Sequence, residues 1–180
     1  MSDAVRQRVL ISLRNTKQIL DAFGPLAPSR MYARGGDGPA VRFVAASADD
    51  AVGAADDVID GLLDEGWKPD HIALLTTGHR HPVQLERTSF HSQEEYWETW
   101  WDDSDVFYGH VLGCKGLERR AVVLCVNESK VRDRSRERLH VGMSRATDLL
   151  VVVGDSSIIR EMGGDAVARR LGISPTGGPL

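Results

Sequence analysis

The chain has 180 residues, of which 42% are hydrophobic and 27% are charged, and its net charge is −4. That length suits one well-buried globular domain and excludes two large ones. A negative net charge argues against coating of nucleic acid by bulk electrostatics, but it is compatible with a local basic groove. No apolar run reaches the roughly 20 residues that span a bilayer. No secretory signal is recognisable and two cysteines make no disulfide framework, so a cytoplasmic protein is expected.

Apolar runs alternate with amphipathic stretches, which is typical of a parallel α/β sheet. In chain order, the pattern predicts a helix over 9–23, a loop over 29–39, a strand over 41–45, a helix over 49–65, a strand over 72–75, an irregular segment over 79–92, a short helix over 94–101, strands over 106–108 and 121–126, a helix over 135–147, a strand over 149–153, a helix over 158–171 and a flexible tail over 174–180. A sheet of about five such strands is expected to carry its chemistry at their carboxyl ends.

Three segments combine charged residues with small ones. The segment 110–118, HVLGCKGLE, joins two predicted strands, 139–146, LHVGMSRA, ends with Arg145 near a helix end, and 13–19, LRNTKQI, carries Arg14. Taken singly, a structural turn, a surface salt bridge and a snorkelling arginine explain these features equally well.

Together the three segments resemble motifs IV (near 12–19), V (110–118) and VI (139–147) of the UvrD/Rep-like superfamily 1 helicases, over about 9–155 of the chain. The resemblance implies a three-layer, mostly parallel α/β domain of RecA-like fold over 1–173. It also implies that this domain is the C-terminal, second motor domain of an ATP-dependent DNA helicase.

The resemblance gives a role to each matching residue. Arg145 would be the arginine finger that stabilises charge on the transferred phosphoryl group, and Arg14 would contact the γ-phosphate. Glu118 would contact the nucleotide ribose, while Lys115 and Gly116 would shape the loop that presents it.

Nucleic-acid contacts are harder to assign, because His110 stands where the family has threonine and Leu112 where it has histidine. The candidate contacts are the histidine and four cations, namely His110, Arg119, Arg120, Lys130 and Arg132. Such contacts would make binding to the DNA track salt-dependent, and an RNA track stays open.

The sequence contains no GxxxxGK[ST] segment and no acidic motif for a metal at a strand end. ATP and Mg²⁺ are therefore expected to be held mainly by an N-terminal RecA-like motor domain, encoded upstream or on a separate polypeptide. The isolated chain is expected to be inactive. Two alternatives stay open: a non-catalytic adaptor that binds nucleic acid or protein, and a free-standing nucleotide-binding enzyme.

Other features favour ordinary structural roles. The aromatic residues Trp97, Trp100 and Trp101 are predicted to pack on the sheet rather than to stack on bases, since carboxylates surround them. The histidines at 79, 81 and 91 lack the spacing of a zinc site. The aspartates of 56–64 fall on the polar side of a predicted helix, where charges are expected.

Overall fold

The computed structural model describes residues 10–12, 15–27, 31–33 and 35–175, with side chains over 15–27 and 35–175. The strands, in chain order, are β1 (Leu10–Ser12), β2 (Met31–Ala33), β3 (Arg42–Ala45), β4 (Ile72–Thr76), β5 (Phe107–His110), β6 (Arg119–Val126) and β7 (Ala146–Gly154). The last five form one parallel sheet in the order β3-β7-β6-β4-β5, and β1 pairs with β2 in a separate parallel pair.

Helices lie between the strands and after the last of them. They are α1 (Lys17–Phe23), α2 (Ala51–Asp64), α3 (Pro82–Phe90), α4 (Gln93–Glu98), α5 (Ser135–Met143), α6 (Ser156–Gly163) and α7 (Asp165–Arg170). Within the described residues, no helix has the length and apolarity needed to cross a membrane. The predicted three-layer α/β architecture with a parallel sheet is confirmed.

The two faces of the sheet bury two separate cores, which is why its strands read as continuous apolar runs. Along β6, Val122 and Leu124 pack into the core that α1, α5, α6 and α7 cover, while Val123 and Cys125 pack into the core beneath α2. Cys114 and Cys125 are both buried, and burial raises the pKa of each thiol to about 12.

The amino-terminal prediction was wrong in two places. The helix predicted over 9–23 begins only at Lys17, and Leu10–Ser12 is a strand instead. Its partner, Met31–Ala33, lies inside the segment that was predicted to be a loop. Strands of three residues are too short to show a period in the sequence, so their pairing is a tertiary effect.

The segment predicted to be irregular over 79–92 contains α3. The imidazole of His81 caps this helix by accepting the Val83 N–H at 3.0 Å, and Pro82 occupies its first position. Proline suits that position because it lacks the N–H that would find no partner there. The helix predicted over 158–171 is divided at Gly164, whose φ of 86° favours glycine.

Candidate functional site

The charged residues of the 110–118 and 139–146 segments meet at the amino ends of two central strands. Glu118 directly precedes β6 and Arg145 directly precedes β7. The N–H of Arg119 donates to the carbonyl of Arg145 at 3.0 Å, which sets the two strand starts side by side. These candidate ATP-site residues therefore lie at the amino ends of the strands and not at the carboxyl ends, because the 111–118 loop carries its charged end back across the sheet.

The 13–19 segment reaches the same edge through Asn15. Its side-chain Nδ2 donates to the carbonyls of Ala146 at 2.6 Å and Ser144 at 3.2 Å, and the residue is 5% exposed. The N–H of Thr16 donates to Thr147 at 3.0 Å. Arg14 lies outside the described residues, so its predicted contact with the γ-phosphate stays a prediction.

Replacing Asn15 should destabilise this edge of the sheet. We expect Asn15→Ala to lower the free energy of unfolding by about 1–3 kcal/mol, because two buried carbonyls lose their donor. Urea unfolding measures the change. Gln18→Ala, which removes a partly exposed bond to the Gly38 N–H, is the control and should have a smaller effect. Equal midpoints for the two variants would show that the Asn15 bonds add little.

Arg145 lies between the end of α5 and the loop before β6. Its Nε donates to the Val141 carbonyl at 3.1 Å, Nη1 to the Leu117 carbonyl at 3.3 Å and Nη2 to the Ser144 hydroxyl at 3.1 Å. These bonds connect the 110–118 and 139–146 segments and hold the guanidinium at the amino edge.

Arg145 also lines an open groove of about 630 Å³, which we call the cationic groove. Its lining residues are Leu26, Lys115, Arg134, Arg136, Glu137, His140, Val141, Ser144 and Arg145. Among these, Glu137 is the one carboxylate, and Arg134 binds it at 2.9 Å. The groove is therefore suited to an anion. Gly116 has a φ of 88°, which allows the tight turn after exposed Lys115.

The five predicted nucleic-acid contacts do not form one surface. Arg119 and Arg120 lie at the amino end of β6, whereas His110 ends β5 at the carboxyl edge. The Arg119 guanidinium donates to the carbonyls of Asp70, at 2.6 Å, and Trp100. Arg120 pairs with Asp148 at 2.8 Å. Both arginines thus serve contacts within the domain.

A different polar surface lies at the carboxyl edge, and we call it the carboxyl trough. It consists of two cavities of about 460 Å³ each, which share Gly78, His79, His110 and Leu112. Arg132 lines the second cavity, and Lys130 is exposed close to it in the chain. Three of the five predicted contacts are thus found at or beside this trough.

His110 organises the trough rather than presenting a free imidazole. Its Nε2–H donates to the carbonyls of Thr77 at 3.1 Å and Gly78 at 2.9 Å, and its Nδ1 accepts the Leu112 N–H at 3.2 Å. Both ring nitrogens are therefore used. Burial lowers the pKa of His110, and the positive charges of Arg80 and Arg138 lower it further.

This lowered pKa predicts a pH effect on stability. The unfolded chain takes up a proton at His110 near pH 6.5, before the folded chain does. The stability from neutral His110 is therefore complete above that pH and is lost as pH falls through the folded pKa. We expect the free energy of unfolding to fall between pH 7.5 and 5.5, and the fall to be smaller in His110→Asn. Equal pH dependence in both proteins would contradict this role.

Sequence reasoning missed a buried ion pair beside the trough. Arg138 Nη2 lies 2.5 Å from Glu128 Oε1, with the side chains 12% and 3% exposed. Arg138 also donates to Ser135 Oγ at 2.9 Å and to the Asp133 carbonyl at 3.0 Å. The signal was a carboxylate directly after an apolar strand, since buried carboxylates are paired.

The aromatic cluster is mainly core. Tyr96 and Trp100 are buried against Phe107, and the Trp97 ring stacks on Phe107 with centroids 5.9 Å apart. Core packing is therefore confirmed for Trp97 and Trp100. It is wrong for Trp101, which is 82% exposed and lies in the turn after α4.

One comparison with known proteins bears on the fold. No family model and no curated protein matches the chain. The structure is similar to the C-terminal domain of a possible DNA helicase from Lactobacillus plantarum WCFS1, with 21% identity over 88% of this chain and 93% of that one, and a TM-score of 0.54. A structure of PRRSV helicase matches at 14% identity and a TM-score of 0.41, over 81% of this chain and 22% of that one. The first likeness confirms the predicted RecA-like fold.

Proposed function

We propose that this chain is the second motor domain of an ATP-dependent superfamily 1 helicase or translocase of the UvrD/Rep-like type. One observation carries the proposal. Three segments that are distant in the sequence, around Asn15, Glu118 and Arg145, converge at the amino edge of the sheet, as a shared ligand would require. The likeness to a helicase C-terminal domain supports it.

In this proposal, ATP binds in the cleft between two motor domains, and the cationic groove faces the polyphosphate. Arg145 stabilises the negative charge that develops on the transferred phosphoryl group, and Arg14 contacts the γ-phosphate. The Glu118 carboxylate accepts hydrogen bonds from the ribose hydroxyls. Closure of the cleft brings these groups to ATP. When hydrolysis releases them, the cleft opens and the domain moves along the nucleic-acid strand.

The first motor domain supplies the remaining parts. Among the described residues, no group of three or more His, Cys, Asp or Glu side chains is placed to hold a metal ion. The chain also has no GxxxxGK[ST] loop. In the proposal, the first domain therefore holds Mg²⁺ and the β- and γ-phosphates, while this chain contributes cations from the opposite wall.

The nucleic-acid track is proposed to follow the carboxyl trough, at the opposite edge of the sheet from Arg145. We expect the double variant Lys130→Ala/Arg132→Ala to weaken binding of single-stranded DNA. The slope of log K against log salt should fall by about 0.7 for each phosphate contact that is lost. The control is Arg42→Ala/Arg169→Ala, two exposed arginines outside the trough. An unchanged slope in the Lys130/Arg132 variant would remove the trough from the track.

Titration of ATP into the chain alone separates the proposal from its rivals. The proposal predicts weak binding that Arg145→Ala weakens further. Tight binding would indicate a free-standing nucleotide-binding enzyme. DNA binding together with ATP binding that is indifferent to Arg145 would indicate an adaptor.

A further inference from the structure

His140 lines the cationic groove, and the proposed function leaves its chemistry unused. It lies on α5 one turn before Ser144, and both residues line the groove next to Arg145. Residues four apart on a helix face the same side. The imidazole is therefore part of the wall that would face the polyphosphate.

The ring has hydrogen-bonding capacity to spare. It is half-buried and packs on the Phe23 ring of α1, with centroids 5.5 Å apart. Within the described part of the chain, its nitrogens make no hydrogen bond. His81 and His110, by contrast, use ring nitrogens in hydrogen bonds within the domain. The His140 nitrogens are therefore available to a ligand in the groove.

The surrounding charges favour an anion as that ligand. Arg136 and Glu137 flank the ring on α5, Arg145 follows the helix, and Lys115 and Arg134 line the same groove, while α1 presents the uncharged Phe23 ring. Burial lowers the pKa of His140, and Arg145 and Arg136 lower it further. A polyphosphate would offset those positive charges and favour the imidazolium.

We propose that His140 is a polyphosphate-binding residue of the same half-site and binds the anion as imidazolium, so that nucleotide binding is accompanied by proton uptake at this side chain. The inference rests on the proposed function and adds a third cationic ligand to it. The proton comes from solvent and returns there when the anion leaves. Polyphosphate affinity should therefore rise as pH falls from 8 to 6.

Inorganic triphosphate is the probe, because it isolates the polyphosphate from base and ribose. The His140 ring protons of this chain are titrated by NMR with and without triphosphate, and exposed His91 serves as the internal control. We expect triphosphate to raise the pKa of His140 by about one unit, which corresponds to about tenfold tighter binding to the protonated form. The ring-proton signals of His91 should not respond to triphosphate. Triphosphate binding that leaves the His140 titration unchanged would overturn the proposal.

Two variants distinguish this inference from the proposed function. His140→Phe keeps a ring against Phe23 and should remove the rise in triphosphate affinity as pH falls from 8 to 6. His140→Gln is polar but cannot take up a proton, and it should remove the rise as well. Arg145→Ala should weaken triphosphate at both pH values. A pH-independent affinity that still needs Arg145 would overturn only the role of His140. Affinity indifferent to both residues, or absent, would overturn both the inference and the placement of ATP.

Discussion

Arg145→Ala should lower ATP turnover by about 10³-fold or more while changing ATP affinity much less. The protein to test is the one that joins this chain to its phosphate-binding motor domain. The effect falls on turnover because an arginine finger acts mainly on charge that develops in the transition state. Steady-state kinetics with saturating single-stranded DNA give the two constants separately.

Three controls separate catalysis from structure in that experiment. Arg145 bonds the carbonyls of Leu117 and Val141, so thermal unfolding must show that the variant remains folded. Arg145→Lys keeps the charge but loses the planar fork, and it should recover only part of the turnover. Arg42→Ala, on the edge strand β3, should behave like wild type. Full turnover in a folded Arg145→Ala protein would remove the main catalytic assignment.

The second large effect is expected at the buried ion pair. Glu128→Ala should lower the free energy of unfolding by about 3–5 kcal/mol, because it leaves the Arg138 guanidinium buried without its carboxylate. Replacing both partners by apolar residues, Glu128→Leu with Arg138→Met, should recover most of the loss. Glu65→Ala breaks an exposed pair with Arg42 and should have a much smaller effect.

Denaturant unfolding of the single and double variants measures this coupling. Arg138 lies at the amino-terminal half of α5, and Arg145 follows the same helix. A loss for Glu128→Ala no larger than that for Glu65→Ala would show that the pair does not hold α5 against β6.

The sheet was predictable because its strands are buried on both faces. β6 and β7 read as unbroken apolar runs, and α2 shows a clear helical period. α3 was not predicted, since Gln84 is its one fully buried residue and it has no apolar stripe. The short pair of β1 and β2 depends on contacts between distant segments, which no local pattern reports.

The site was only partly predictable for a similar reason. The family resemblance grouped Glu118 with Arg145, and the structure places them side by side. It did not indicate that this meeting point is the amino edge, because the direction in which a loop crosses the sheet is a property of the fold. His110 bonds to carbonyls just after β4, and Arg119 bonds to the carbonyls of Asp70 and Trp100. These partners are distant in the sequence, so sequence spacing does not predict the contacts.

ATP hydrolysis stimulated by single-stranded DNA tests directly whether this chain completes an ATP site that it shares with another motor domain. The rate is measured for this chain alone and for the chain joined to, or mixed with, its phosphate-binding motor domain, with and without single-stranded DNA. We expect no hydrolysis by the chain alone and DNA-stimulated hydrolysis by the pair. Hydrolysis by the chain alone, or none by the pair, would contradict a half-site that donates Arg145 across a domain cleft.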